Sequence, residues 1–235
     1  MDDKSAKVAM VTGASRGFGL AVARSLSVLG WSLIIDAREE GTLEEARQEL
    51  ALSATTVAIS GDVSSPHHRH DLTAAARQLG GLDLLVNNAS VLGPSPQPNL
   101  ADYDLEELSR VFDVNVFSPM ALIQETLPML RTARGIVVNL TSDAAAEPYP
   151  GWGGYGSSKS ALDQISVILG VEEPEVSVYA LDPGDMNTRM HQEAFPGEDI
   201  SDRSLPEERV PALIYLIDRR PPSGRYQASD LLART

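Results

Sequence analysis

Short apolar runs alternate with segments of helical spacing along this chain, and no other feature restricts its fold as much. Val8–Thr12, Ser32–Asp36, Thr56–Ser60 and Leu82–Asn87 read as strands, with helices over Phe18–Leu29, Leu43–Leu52 and Pro66–Leu79 between them. Repeated strand–helix–strand units imply a parallel sheet with helices on both faces. The rhythm continues with a long helix from Tyr103 to Leu130, bent near Pro119, a strand at Gly135–Leu140 and a helix at Gly154–Leu169. A strand at Val176–Ala180, a helix at Glu207–Ile217 and a short strand at Gly224–Ala228 follow. Leu92–Asn99 holds Pro94, Pro96 and Pro98 and reads as a loop, and Pro183–Leu205 reads as irregular. The expected fold class is therefore α/β: a doubly wound parallel sheet of about seven strands. Without a linker, repeat or low-complexity block, residues 1–235 read as one domain.

Composition narrows the function more than the fold. The net charge of −14 argues against nucleic acid or an anionic membrane as partner, though a local basic site can still hold a phosphorylated cofactor. No apolar run is long enough for a membrane span, and Met1-Asp2-Asp3-Lys4 does not open a signal peptide. The absence of cysteine excludes disulfides, iron–sulfur clusters and thiolate chemistry, and fits a cytoplasmic location. Nothing in the sequence suggests a metal site.

The turn after the first strand is glycine-rich. Thr12-Gly13-Ala14-Ser15-Arg16-Gly17-Phe18-Gly19 links strand to helix with G-x-x-x-G-x-G spacing. Glycines permit a tight turn and close approach of a ligand, and the helix N-terminus offers unpaired N–H groups and a positive dipole end to a pyrophosphate. Asp62, just past the third strand, is placed to accept from an adenine amino group. Asn87-Asn88-Ala89 ends the fourth strand at the carboxyl edge, where open α/β sheets bind ligands.

Lysine is scarce: of 19 basic residues only Lys4, Lys7 and Lys159 are lysine, and Lys4 and Lys7 read as an N-terminal tail. Lys159 follows Tyr155 by four residues, which on a helix puts the two side chains on one face. An ammonium beside a phenol favours phenolate and would lower the tyrosine pKa toward the working range.

Taken in order, these motifs resemble the short-chain dehydrogenase/reductase family in its ordinary single-domain, Rossmann-type form, from Val8 to about Ala228. Gly13, Gly17 and Gly19 match its cofactor motif. Asn87-Asn88-Ala89 matches its N-N-A element, with Ser90 where glycine is usual. Asn115, Ser142, Tyr155 and Lys159 match its catalytic set, and Pro183-Gly184 with Thr188 match its P-G-x-x-x-T element. The resemblance implies that Ser142 donates to the substrate oxygen and that Tyr155 exchanges a proton with it. Lys159 would grip the ribose, and Asn115 would hold a water leading from Lys159 to solvent. The implied cofactor contacts add Ser15, Arg16, Phe18, Arg38, Asp62, Val63, Asn88 and Ala89 to the glycines, Tyr155, Lys159, Pro183, Gly184 and Thr188.

The acid that selects NAD in relatives would fall at position 37, which is Ala, while Arg38 and Arg16 favour NADP; NAD stays possible. Asp36 would face the other side of its strand. Substrate candidates at the carboxyl edge are Ser142, Asp143, Ala144, Tyr149, Trp152, Met186, Met190, His191 and Phe195, with Pro183–Leu205 as a lid. Apolar residues beyond one stripe on the helices bearing Asn115 and Tyr155, such as Met120, Leu122, Ile165 and Ile168, suggest a homodimer or homotetramer. The expected activity is hydride transfer between a nicotinamide and a small carbonyl or secondary alcohol, read as reduction. The alternatives are NAD-dependent oxidation of a polar hydroxylated metabolite and a nonenzymatic dinucleotide-binding regulator.

Overall fold

In the computed structural model, which describes residues 6–234, seven parallel strands form one sheet in the order β3-β2-β1-β4-β5-β6-β7. The strands are β1 (Val8–Val11), β2 (Ser32–Ala37), β3 (Thr56–Ser60), β4 (Leu84–Asn87), β5 (Ile136–Leu140), β6 (Ser177–Asp182) and β7 (Gly224–Gln227). Lys4 lies outside the described residues; Lys7 stacks on Trp31, its ammonium 5.1 Å from the ring centroid.

Both faces of the sheet are covered, so its inner strands are near-continuous apolar runs rather than alternating. Ala9, Val11, Leu33 and Ile35 join a core formed with α1 (Gly17–Val28), α2 (Glu40–Leu50) and α8 (Pro206–Arg219). Val8, Met10 and Ile34 join the opposite core, formed with α3 (Pro66–Gln78), α5 (Ser118–Ala133) and α6 (Gly153–Glu172). Strand order reverses at the β1–β4 pair, which opens a crevice at the carboxyl ends of these two strands.

Three features differ from the sequence reading. The expected long helix is two, α4 (Leu105–Phe112) and α5, joined by a π-helical turn at Asp113–Phe117. The proline explains the position of the break. An α-helix would aim the N–H of residue 119 at the Asn115 carbonyl, and Pro119 has none, so the irregularity falls just upstream of it. The helix bearing Tyr155 runs to Glu172, beyond the expected Leu169, which leaves a short link to β6. The stretch after Pro183 contains a short helix, α7 (Arg189–Ala194), and a last helix, α9 (Ala228–Leu232), follows β7. Among the described residues no helix is long and apolar enough to cross a membrane, and no group of His, Asp and Glu could hold a metal ion.

Candidate active site

The glycine turn is built against Asn88. The Asn88 side chain donates to the carbonyls of Thr12 (2.8 Å) and Gly13 (3.1 Å), and the backbone N–H groups of Asn88 and Ala89 both donate to the Thr12 hydroxyl at 3.0 Å. A Cβ at Gly13 or Gly19 would stand 3.1 or 2.5 Å from Asn88 Nδ2, so these glycines make room for the clamp. Gly17 is different: its φ is +58° and a Cβ there would meet only Thr188 Cγ2, 3.7 Å away across the cleft. Asn88 thus shapes the turn, and Asn87 points to neither turn nor cleft; it bonds Asn139, which bonds Ser166, in a buried chain running from β4 to α6.

Helix α1 starts at Gly17 with no capping side chain and no acidic residue in its first turn. An uncapped N-terminus facing a cleft of about 530 Å³ suits a pyrophosphate. Arg16, Arg38 and Arg189 line the mouth of that cleft; Arg16 pairs with Glu39 at 3.2 Å and Arg189 with Glu193 at 2.7 Å. Ser15 and Phe18 line the same cleft, each with most of its surface buried. Asp62 Oδ1 accepts from the Ser64 N–H (2.9 Å) and hydroxyl (2.7 Å). Partial burial opposes ionisation of Asp62, but these bonds and the nearby Arg38 and Arg110 hold its carboxyl below the usual range. Val63 is buried beside it.

Asp36 lines the floor of the cleft with its carboxylate turned away into the protein. It is 2% exposed, accepts from the Gly13 N–H at 2.7 Å and meets His68 Nε2 at 2.9 Å. The aspartate therefore braces the turn from below, and His68 compensates it. The sequence reading missed His68; a charged residue at the end of an otherwise apolar strand was the available signal that a buried partner exists.

Deeper in the crevice stand the four catalytic candidates. Ser142 follows β5, and Tyr155 and Lys159 lie one turn apart on α6, with the lysine ammonium 5.5 Å from the tyrosine ring centroid. Lys159 is 3% exposed and donates to the Leu140 carbonyl at 2.8 Å. Burial lowers its pKa to about 8, against the opposing pull of Asp163. The expected lowering at Tyr155 is reversed. Burial, with the charges of Asp182 and Asp143, holds the phenol above its ordinary pKa, and the hydroxyls of Ser90 and Ser142 only partly offset this. The ammonium sits over the ring face rather than at the oxygen, which is why it does not dominate.

Ser142 Oγ donates to Asp143 Oδ1 at 2.8 Å, and Asp143 Oδ2 accepts from Tyr149 at 3.0 Å. Asp143 is thus engaged within its own turn, where it also accepts from the Ala144 N–H at 2.8 Å. That bond to Asp143, with the charges of Asp143, Glu147 and Asp185, raises the pKa of Tyr149.

Asn115 sits in the π turn and is fully buried. Its Nδ2 donates to the Val91 carbonyl (2.9 Å) and Ser158 Oγ (3.0 Å), and its Oδ1 accepts from the Val91 N–H (2.9 Å) and Ser90 Oγ (3.0 Å). All four positions of the side chain are used, so it pins the Ser90–Val91 loop to α6.

Arg225, on β7, is a residue the sequence reading did not single out. Its guanidinium donates to Asp163 on α6 (2.9 Å), to the Ser142 carbonyl (3.1 Å) and to Asp182 at the end of β6 (3.1 Å). Asp182 in turn accepts from the Gly184 N–H at 2.9 Å, fixing the Pro183-Gly184 turn, where Gly184 has φ +72°. Thr188 caps α7, accepting from the His191 N–H at 3.2 Å. Met186 and Met190 line the cleft beside the glycine turn, whereas Trp152, Tyr149, His191 and Phe195 gather near Tyr155.

Fold and sheet-edge crevice together define an oxidoreductase of the dinucleotide-dependent class. The chain belongs to the short-chain dehydrogenase/reductase family: the family model for short chain dehydrogenases matches residues 7–199. Sepiapterin reductase of Rattus norvegicus is 34% identical over 199 residues, covering 79% of this chain and 76% of the rat protein. The benzil reductase ((S)-benzoin forming) of Saccharomyces cerevisiae is 33% identical over 196 residues, covering 80% and 74%. Among solved structures, the alcohol dehydrogenase of Thermococcus sibiricus complexed with 5-hydroxy-NADP superposes with a TM-score of 0.84 at 29% identity, covering 94% of this chain and 95% of that one.

Proposed function

We propose that the protein reduces a small ketone or aldehyde to the alcohol with NADPH. The carrying observation is geometric: Tyr155, buried one helical turn from Lys159 and beside the Ser142 turn, is placed to give a proton to an oxygen that Ser142 holds. The relatives named as reductases agree with this direction.

The nicotinamide, when bound, supplies the hydride. The N-terminus of α1 and Gly17 would hold the pyrophosphate, Asp62 and Val63 the adenine, and Pro183, Gly184 and Thr188 the nicotinamide end. Asn88 and Ala89 keep the turn open to it. Arg38 would take the 2′-phosphate together with Arg16 and Arg189, once these two turn from Glu39 and Glu193. Lys159 would hold the ribose hydroxyls. Ser142, turning its hydroxyl from Asp143, would donate to the carbonyl oxygen while Tyr155 delivers its proton there. The Asn115 main-chain carbonyl, which Pro119 cannot bond, would hold a water leading toward Lys159.

Residues 1–235 would act as one catalytic unit with 183–205 as lid. Exposed Val167, Ile168 and Val171 on α6 and Phe117 beside α5 support pairing of two copies through these helices, and a cysteine-free chain is consistent with the cytoplasm. The test is a ketone screen with both cofactors, read at the nicotinamide absorbance. NADPH is expected to give about tenfold or more higher kcat/KM than NADH, and Arg38→Ala to remove that preference. Equal or better turnover with NADH overturns the cofactor assignment.

A further inference from the structure

The carbonyl substrate of this site can be narrowed by the rings around Tyr155. The chain holds only 12 Phe, Trp and Tyr residues (4, 2 and 6). Four of them, Tyr149, Trp152, Tyr155 and Phe195, meet in one group, with His191 beside Phe195. Trp152 is the hub. Its ring lies 5.9 Å from Tyr155 at 73°, 6.3 Å from Tyr149 at 66° and 5.7 Å from Phe195 at 42°. These are the tilted and edge-to-face geometries in which ring quadrupoles attract. The backbone holds the hub in place: the Trp152 N–H donates to the Tyr149 carbonyl (3.1 Å), and the Trp152 carbonyl accepts from the Gly156 N–H (2.7 Å) at the start of the helix that carries Tyr155. Trp152 is only half-buried, so it still offers surface. Phe195 is different in kind, because it belongs to the segment after α7 and reaches Trp152 from the lid side. It shows that this side of the indole accepts an aromatic ring.

We propose that the substrate is an uncharged ketone with an aromatic ring attached directly to, or one atom from, the carbonyl, and that this ring packs on Trp152 in the place Phe195 takes. The proposal rests on the reductase reading above. Reach sets the short spacer: Trp152 is one ring contact from Tyr155, so a ring on the indole leaves the carbonyl at the phenol only when few atoms separate them. Charge sets the neutrality. Asp143 is hydrogen-bonded to Ser142 and, unlike Asp182 with its Arg225, sits in no ion pair among the described residues, so a substrate carboxylate at Ser142 would meet its negative charge.

The experiment compares acetophenone, cyclohexyl methyl ketone and phenylglyoxylate as substrates of the intact protein with NADPH. A ring–ring contact of ordinary strength corresponds to about a tenfold preference, so kcat/KM for acetophenone is expected to exceed that for cyclohexyl methyl ketone by about that factor, with phenylglyoxylate poorest. Trp152→Leu should bring the two neutral ketones within about twofold, and Trp152→Phe should keep the order. Binding gives a readout that needs no turnover. The chain has two tryptophans, and Trp31 is buried at the start of β2. Quenching by acetophenone should therefore be present in the wild-type protein and lost in Trp152→Leu. Equal or better turnover of the cyclohexyl ketone overturns the aromatic assignment and leaves the reductase reading standing. Phenylglyoxylate reduced as well as acetophenone overturns the charge assignment. No turnover of any ketone with either nicotinamide overturns the reductase reading and this inference with it.

Discussion

Tyr155 and Lys159 ionise differently from what their spacing alone suggests. The spacing predicts an ammonium that draws the phenol toward phenolate, but burial acts on both groups in the opposite sense: the phenol rises and the ammonium falls to about 8. For reduction these shifts cooperate below pH 8, where the acid is protonated and the lysine charged. As pH rises through about 8 the lysine loses its proton, so kcat/KM for ketone reduction should decline across that range; a profile flat to pH 10 would contradict the assignment. The same burial makes Lys159 costly to the fold. Its pKa is lower in the folded than in the unfolded chain, so the native state binds fewer protons between about 8 and 10.5 and gains stability as pH rises through that window. Lys159→Met should therefore be inactive yet more stable at pH 7, by about 1–3 kcal/mol in urea unfolding. Tyr155→Phe should bind the dinucleotide as the parent does and lose turnover by about a thousandfold; calorimetry and a rate assay check the two halves.

The elements place these side chains through a few polar nodes. Asn115 in the π turn ties the Ser90–Val91 loop to Ser158, and Arg225 ties α6, the Ser142 turn and the end of β6 together. Removing Arg225 strips Asp182 and Asp163 of their compensating cation in a largely buried setting. Arg225→Met should lose about 2–4 kcal/mol of stability, shift the tyrosine further upward and reduce kcat, while Asp182→Asn in the same chain should recover part of the loss. Arg225→Lys should not restore the parent, because one ammonium cannot span three acceptors in a plane. An Arg225→Met protein with parental stability and pH profile would deny the node any role. Strand identities and the glycine turn were legible because each depends on local spacing. Asn115 was legible as a polar residue inside a helix, but its partners were not, since they come from 24 and 43 residues away. Arg225, Asp36–His68 and Arg189 gave no motif: their meaning lies in contacts between elements.

For the whole molecule, the seven-stranded sheet brings the carboxyl ends of β1, β4, β5 and β6 to one edge, and with them residues from Gly13 to Thr188. The opposite consequence is that the outward sides of α5 and α6 are left without cover in the single chain. Phe117, Val167, Ile168 and Val171 are exposed there, 41–80% by side of the least and most exposed. Ile168→Glu together with Val171→Glu should shift the protein to monomers in sedimentation velocity at micromolar concentration while leaving thermal unfolding of each chain cooperative. Parental sedimentation in the double variant would overturn the proposed pairing through these helices. By itself the sequence determined the alternation of elements, the parallel sheet, the glycine turn and the placing of Tyr155 and Lys159 on one helix face, because period, glycine position and helical spacing act over a few residues. Only the tertiary structure decided how those groups ionise, which carboxylates are already spent on neighbours, what Asn115 bonds and which rings surround Tyr155. Burial and long-range pairing set all of these, and neither exists until the sheet has brought its distant edges together.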